Sequence, residues 1–433
     1  MIGQLIFLLL LLAAVAVFTR NIRKVIRNIR LGRPLDRSDR SADRWKVMTL
    51  VALGQSKMVT RPVAGILHIF VYAGFVIINI EVLEIVIDGL FGTHRVFAFL
   101  GPLYDLLIGS FEILALLVLV ACVIFLVRRY VIRLKRFWMR EMTSWPRTDA
   151  TLILVTEILL MSAFLKMNAV DSVLQAQHYG HYVQAGWFPV SSMLTPFFEG
   201  WNPENLVIVE RLLWWFHIIG ILVFLNYLPY SKHFHILLAF PNTYYSNLDY
   251  KGRFTNMESV TREVKLMLDP SAVPPGDAAA PPSRFGAKDV FDLSWKQLMD
   301  AYSCTECGRC SSNCPANQTG KLLSPRKIMM DTRDRLEEVG KNIDRNGPEF
   351  RDDKSLLNYI SEEELWACTS CNACTEACPV NIDPLSIIVD MRRYLVMEES
   401  KVPQELAGMF NKVENNGAPW QFAQADRFNW AND

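Results

Sequence analysis

The sequence predicts an all-α protein: a bundle of five membrane-spanning helices, a linker, and a smaller α-helical domain. Three observations carry that prediction. Every long apolar run lies within the first 240 of the 433 residues, although the apolar fraction of the whole chain is 51%. Later segments place apolar residues at helical spacing, and strand-like alternation is scarce. Eight of the nine cysteines fall in two near-identical bursts beyond residue 300.

The apolar runs are Ile2–Phe18, Val63–Leu90, Leu103–Val127, Leu152–Val170 and Leu206–Leu228. At about 1.5 Å per residue, each is long enough to cross roughly 30 Å of hydrocarbon. The first run has no basic residue before it and no small-residue cleavage site after it, so it reads as a retained anchor rather than a signal peptide. Between Arg20 and Arg61 stand twelve Lys or Arg residues, and between Arg128 and Arg147 stand seven; the other two loops carry only Arg95. Basic segments stay on the cytoplasmic side, so the N-terminus is expected outside and everything after the fifth helix inside, at a bacterial or archaeal cytoplasmic membrane. The net charge of +1 excludes no class by itself. The basic stretch "RNIRKVIRNIRLGR" is expected to be a juxtamembrane helix attracted to anionic lipid, and no nucleic-acid partner is needed.

The expected organisation is a membrane domain over 1–240, a linker over 241–286 and a helical domain over 287–433. The linker's "DPSAVPPGDAAAPPSRFG" is too rich in Pro, Ala and Gly to bury a core. Beyond it, "DVFDLSWKQLMDAYS", "SPRKIMMDTRDRLEEVG" and "DPLSIIVDMRRYLVMEES" read as helices with Asp or Ser at plausible N-caps. They are expected to wrap around something other than a large hydrophobic core.

The bursts supply that something. Cys304, Cys307, Cys310 and Cys314 precede Pro315, and Cys368, Cys371, Cys374 and Cys378 precede Pro379, so each burst reads C-x2-C-x2-C-x3-C-P. This is the spacing of two-cluster bacterial ferredoxins, in which the fourth cysteine of each run ligates the other cluster. One [4Fe-4S] cluster is then expected on Cys304, Cys307, Cys310 and Cys378, and a second on Cys368, Cys371, Cys374 and Cys314. Three cysteines at successive two-residue gaps fit one zinc tetrahedron poorly, and a reducing cytoplasm disfavours disulfides. Cys122, in the third apolar run, reads as a small buried apolar residue. A helical insertion from about Asn317 to Leu365 separates the bursts, and in this the segment resembles the helical ferredoxin type of respiratory complexes.

Ionisable residues within membrane segments are functional candidates. His68 lies in the second run, roughly 10 Å along the helix from Arg61, and His217 lies in the fifth. His235 follows eighteen residues after His217, about 27 Å along a straight helix, although Pro229 invites a kink. A b-type haem held by His68 and His235 matches in depth. His217 either holds a second haem with a different sixth position or replaces His235. Glu81, Glu84, Glu112 and Glu157 either move protons to a quinone or pair with groups such as Arg211. His94, His178 and His181 are expected on the outer side, the last two in an exposed loop.

The segment "LPYSKHFHILLAFP", with His217 and His235, resembles the cytochrome b subunit of respiratory nitrate reductases, whose last and second helices together bind two haems. His68 matches that pattern and Ile78 stands at the next ligand position. The segments "FGAKDVFDLSWKQLMDAYSCTECGRCSSNCPANQTGKLLSPRKI" and "ENNGAPWQFAQADRFNWAND" resemble iron–sulfur subunits of heterodisulfide reductase and anaerobic glycerol-3-phosphate dehydrogenase. Larger members of that family continue into CCG motifs, and here no cysteine follows Cys378. The resemblance therefore implies a CCG-motif or flavin-containing dehydrogenase subunit as partner. The expected role is a membrane-anchored electron-transfer subunit of a hetero-oligomeric respiratory oxidoreductase, linking two clusters, one or two haems b and the quinone pool. The alternatives are a haem-free iron–sulfur anchor and a redox-sensing or assembly subunit.

Overall fold

The computed structural model describes residues 1–269, 284–420 and 422–432, and the proline-rich centre of the expected linker, 270–283, lies outside them. The described residues are helical throughout, with no strand and one isolated bridge between Arg33 and Ser294. In chain order the first elements are α1 (Ile2–Ile29), the short α2 (Ser41–Met48), α3 (Pro62–Phe91), α4 (Pro102–Leu126), α5 (Ser144–Ala176) and α6 (Pro203–Tyr227). All but α2 are long and apolar enough to cross a membrane. A proline opens α3, α4 and α6, where the missing N–H has no intrahelical partner to lose.

Neighbours in sequence are neighbours in space. Helix α3 packs on α4, α4 on α5 and α5 on α6, while α1 closes against α3 and α6. Two glycines set the closest approaches: a Cβ at Gly74 would fall 2.5 Å from Val118 Cγ2, and one at Gly220 2.6 Å from Leu160 Cδ2.

Two helices differ from expectation at the end facing the cysteine-rich domain. Helix α1 continues through the basic stretch to Ile29, and that stretch docks on protein as well as carrying charge at the membrane edge. Lys24 and Arg27 pair with Asp344, and Asn28 Nδ2 donates to Tyr302 Oη at 2.9 Å. Helix α6 stops before Pro229, which lacks an N–H to continue the ladder. The chain passes through two 3₁₀ turns, Leu228–Tyr230 and Lys232–Phe234, and restarts as α7 (His235–Tyr244). Asp149, near the start of α5, holds this corner by accepting from Ser231 Oγ at 2.7 Å, Lys232 N at 3.0 Å and the Tyr227 hydroxyl. The straight-helix separation of His217 and His235 therefore does not apply.

The remaining helices are α8 (Glu258–Leu268), α9 (Trp295–Ser303), α10 (Arg309–Asn313), α11 (Pro315–Gln318), α12 (Pro325–Asn346), α13 (Glu362–Trp366), α14 (Ala373–Ala377), α15 (Pro384–Met397) and α16 (Gln404–Asn416). Ser294, Ser324 and Asp383 cap α9, α12 and α15 as the sequence suggests. Contrary to expectation, these helices do enclose a substantial apolar core. Leu298, Ile328, Leu336, Ile387, Ile388 and Leu395 are fully buried in it, together with Cys304, Cys314 and Cys378. The same core takes in Val25, Leu228 and Phe234 from the membrane half. Residues at the head of the expected linker are packed too, since Asn242 Nδ2 donates to the Val380 carbonyl at 2.9 Å and its Oδ1 accepts from Lys296 Nζ at 3.0 Å.

Charge locks this joint. Arg326, fully buried, pairs with Glu141 of the α4–α5 loop at 2.7 Å and donates to the Arg136 carbonyl at 2.6 Å. Removing one member of a buried pair costs about 3–5 kcal/mol because the other charge is left without a partner. Glu141→Leu is expected to lower the melting temperature of the detergent-solubilised protein and to expose the 133–140 loop to trypsin. Glu141→Leu with Arg326→Met should recover most of the loss, and an unchanged melting curve for the single variant contradicts the latch.

Candidate functional site

The two bursts repeat in backbone as well as in sequence. Glu306 and Ser370 occupy the same place in each loop with φ of 54° and 58°, and Gly308 and Asn372 follow with 71° and 59°. Left-handed φ suits Gly308 and is tolerated by Asn372, but it is uncommon for residues such as Glu306 and Ser370, so each loop holds one turn that its sequence does not favour. Each then enters a one-turn helix, α10 or α14, that ends at an extended cysteine before proline: Cys314 at φ −77°, ψ 119° and Cys378 at φ −74°, ψ 124°. Helices α10 and α14 pack against each other, which brings each fourth cysteine toward the opposite loop.

One hollow is lined by Cys304, Cys307, Cys310 and Cys378, with Met329, Ile382 and Arg326 around them. Cys378 Sγ accepts from the Ile382 amide at 3.3 Å. On the other side Cys368 has Cys314 and Cys371 as its electrostatic neighbours, and its Sγ accepts from the Ser370 amide at 3.4 Å. Burial pushes the Cys304 thiol up to about 11 and those of Cys374 and Cys378 up to about 12. Thiols so placed become thiolates only when a metal displaces the proton. Among the described residues no three His, Cys, Asp or Glu side chains converge on a point that would hold one ion. The sulfurs instead stand around a shared space and receive backbone N–H groups, a donor set that fits an iron–sulfur cube.

The same end of the bundle gathers histidines. The rings of His68 and His235 lie 6.3 Å apart between centres, inclined at 45°. Two imidazoles each about 2 Å from a single iron, on opposite sides, have centres roughly 6 Å apart. His68 Nδ1 is buried without a hydrogen-bond partner, and His235 Nδ1 donates to the Lys232 carbonyl at 3.0 Å, leaving Nε2 with its lone pair. His68 and His235 are the residues that would hold a haem iron if one were bound here. His233 adds a third ring, 5.7 Å from that of His235; its only sequence signal was its place in "KHFH". His217 is buried elsewhere: its Nδ1 donates to the Leu160 carbonyl at 3.1 Å and its ring packs 5.9 Å from Phe164. The structure thus brings His68 to His235 and leaves His217 apart.

Arg309 ties the cysteine hollow to this pair. It lines the hollow, donates to the carbonyls of Lys57 at 2.9 Å and Met58 at 3.1 Å, and stands near enough to His68 to act on it electrostatically. Arg61 Nη2 reaches Ser312 Oγ of α10 at 2.7 Å.

At the far end of the bundle a cavity of about 400 Å³ is lined by Phe7, Trp214 and Trp215 on its apolar side and by Glu81, His94 and Arg95 on its polar side. Arg95 donates to Asp171 at 2.6 Å and to Asn168 at 3.0 Å. Glu84 accepts from Tyr104 Oη at 2.9 Å, and Glu112 accepts from the amides of Val190 and Ser191 at 2.9 and 3.0 Å. These carboxylates are held by hydrogen bonds, whereas Glu81 Oε2 is buried with no partner. Arg211 pairs with Glu210, not with the carboxylates singled out from sequence. His181 is exposed as expected, but it stands at the cavity's rim with its ring 5.2 Å from that of His94.

Residues 300–382 match the family described as the 4Fe-4S dicluster domain. The chain is 28% identical to a probable iron-sulfur-binding oxidoreductase, FadF, of Bacillus subtilis, over 100% of this chain and 61% of that protein. It is 26% identical to the EtfAB:quinone oxidoreductase of Syntrophomonas wolfei subsp. wolfei, over 92% of this chain and 55% of that one. It is 31% identical to one subunit of the ferredoxin/F(420)H(2)-dependent CoB-CoM heterodisulfide reductase of Methanosarcina acetivorans, over 27% of this chain and 60% of that one. The chain thus spans less than two thirds of the length of the first two relatives. No solved structure matches it. Its homologues are iron–sulfur electron-transfer oxidoreductases and their subunits, which bears out the heterodisulfide reductase side of the expected kinship.

The exchange of fourth cysteines is testable without the metal. Brief oxidation immediately after iron is removed should give peptides that join Cys378 to the first burst and Cys314 to the second. Disulfides confined within each burst contradict the exchange.

Proposed function

We propose that the chain is a membrane-anchored electron-transfer subunit of a respiratory oxidoreductase complex, connecting a partner protein, two [4Fe-4S] clusters, a b-type haem and the membrane quinone pool. The observation that carries this reading is the position of the His68–His235 pair at the bundle end that meets the cysteine hollow, with Arg309 touching both surroundings. When bound, the clusters and the haem supply one-electron carriers. The protein's part is to hold, insulate and orient. Cys304, Cys307, Cys310 and Cys378 hold the first cluster, Cys368, Cys371, Cys374 and Cys314 the second, and His68 and His235 the haem. His217 stays outside this set, because Phe164 packs on its ring and Ile78 stands where the nitrate reductase pattern would supply another ligand.

Under the positive-inside rule the cysteine-rich domain, 287–433, faces the cytoplasm and the far cavity faces outward, with 1–240 as the membrane domain and 241–286 joining them. That cavity suits a quinone: Phe7, Trp214 and Trp215 offer ring faces, and the unpartnered Glu81 carboxyl can take or give a proton. The relative named EtfAB:quinone oxidoreductase supports the quinone assignment and makes EtfAB the first partner to try, ahead of a CCG-motif or flavin-containing dehydrogenase.

Reduced-minus-oxidised spectra of the purified protein should show a b-type α-band, and its absence sinks the haem proposal. His68→Ala should remove that band while leaving the iron and sulfide content of the clusters unchanged. A separate expectation concerns Glu81→Gln, which should slow reduction by a quinol analogue at least about tenfold, by loss of the proton-transferring group, with the haem spectrum unaltered. Unchanged quinol kinetics would move the quinone site elsewhere.

A further inference from the structure

Lys232 lies in the 3₁₀ turn between α6 and α7 and makes two kinds of contact at once. Its backbone carbonyl accepts from His235 Nδ1 at 3.0 Å. Its buried ammonium pairs with Glu306, donates to the Pro146 carbonyl at 2.6 Å and stands 3.8 Å from Asp149. Glu306 sits between Cys304 and Cys307, almost fully buried, and its other oxygen pairs with Arg333 at 2.8 Å. The corresponding residue in the second burst is Ser370, which carries no charge although it repeats the same left-handed backbone. The only carboxylate inside either C-x2-C-x2-C loop therefore belongs to the loop that faces the membrane bundle, and it is answered by a lysine from that bundle.

A buried negative charge beside a cluster disfavours adding an electron, and a buried positive charge favours it, since neither is screened as it would be in water. We propose that Lys232 is a positioning residue that couples the two carrier sites: its carbonyl fixes the His235 imidazole, and its ammonium neutralises Glu306 and so raises the potential of the cluster held by the first burst relative to its repeat. This inference rests on the ligand assignment above. It goes beyond that assignment by naming the charge pair that makes the two halves of a symmetric motif electrically unequal.

The test is an EPR-monitored redox titration of the full-length protein in detergent. Lys232→Met keeps the backbone carbonyl and removes the charge. It should shift the first-burst cluster to lower potential by about tenfold in the reduction equilibrium, close to 59 mV for one electron, and leave the second cluster and the haem spectrum in place. Glu306→Gln should shift the same cluster upward, and the double variant should return it near the starting value. Lys232→Arg should hold it there. Equal shifts of both clusters, no shift, or a double variant that stays as low as Lys232→Met overturn the inference. Should Lys232→Met fail to assemble, Glu306→Gln decides alone: a rise confined to the first-burst cluster supports the coupling, and an unmoved potential overturns it. Unaltered protein that purifies without clusters or haem overturns the functional reading itself, which keeps the two failures distinct.

Discussion

The constraint on which the rest of the structure depends is the burial of charge where the cysteine-rich domain meets the end of the bundle. Asp149, Lys232, Glu306 and Arg333 form one chain of contacts, and Glu141 with Arg326 forms a second beside it. Every member is at least four-fifths buried, so none of these charges is stable without its partner. Partners come from α5, the α6–α7 corner, the α4–α5 loop, the first cysteine loop and α12. None of these elements can move far without exposing or orphaning a charge. A domain attached through a long segment could in principle swing; here it is held in register with the membrane helices.

That register explains why α6 breaks where it does. Pro229 ends the helical ladder, and Asp149 sets the path of the chain beyond it by binding Tyr227, Ser231 and the Lys232 amide. The corner then offers the Lys232 carbonyl to His235 on one side and the ammonium to Glu306 on the other. One turn of chain serves a histidine site and a cysteine site because a carboxylate on the neighbouring helix fixes it. The apolar core of the second domain follows the same line, taking in Val25 and Leu228 beside Leu298 and Ile328.

Legibility in the sequence followed the range of the interactions involved. Hydropathy and capping act over a few residues, and they located all five long apolar helices and the starts of α9, α12 and α15. The cysteine repeat was legible for the same reason, since its spacing is itself the geometry of the loop. Depth arguments paired His68 with His235, although the straight-helix picture of α6 and α7 behind part of that argument was wrong. The contacts that escaped depend on partners distant in sequence: Lys232 with Glu306, Arg326 with Glu141, and Asn28 with Tyr302. No local pattern distinguishes these polar residues from solvated ones. The basic stretch at the end of α1 was read as lipid-facing for that reason, and the core of the second domain was underrated because so many of its buried neighbours are Arg, Lys and Glu.

The repeat itself shows how symmetry and environment divide the work. The backbone of both bursts is nearly the same, down to the left-handed residues at 306 and 370 and at 308 and 372. Their surroundings differ. The first burst is pressed onto the bundle, with Cys304 buried and Arg309 reaching the start of α3, while in the second Cys371 is exposed. A symmetric pair of loops thus has unequal surroundings, the exposed Cys371 lying in the second. Within the proposed function, that gives each half a different neighbour: the histidine pair for the first and an incoming protein for the second. Within the same proposed function, the exchange of Cys314 and Cys378 holds the two halves together, since Cys378 lines the hollow of the first burst and Cys314 neighbours Cys368 of the second.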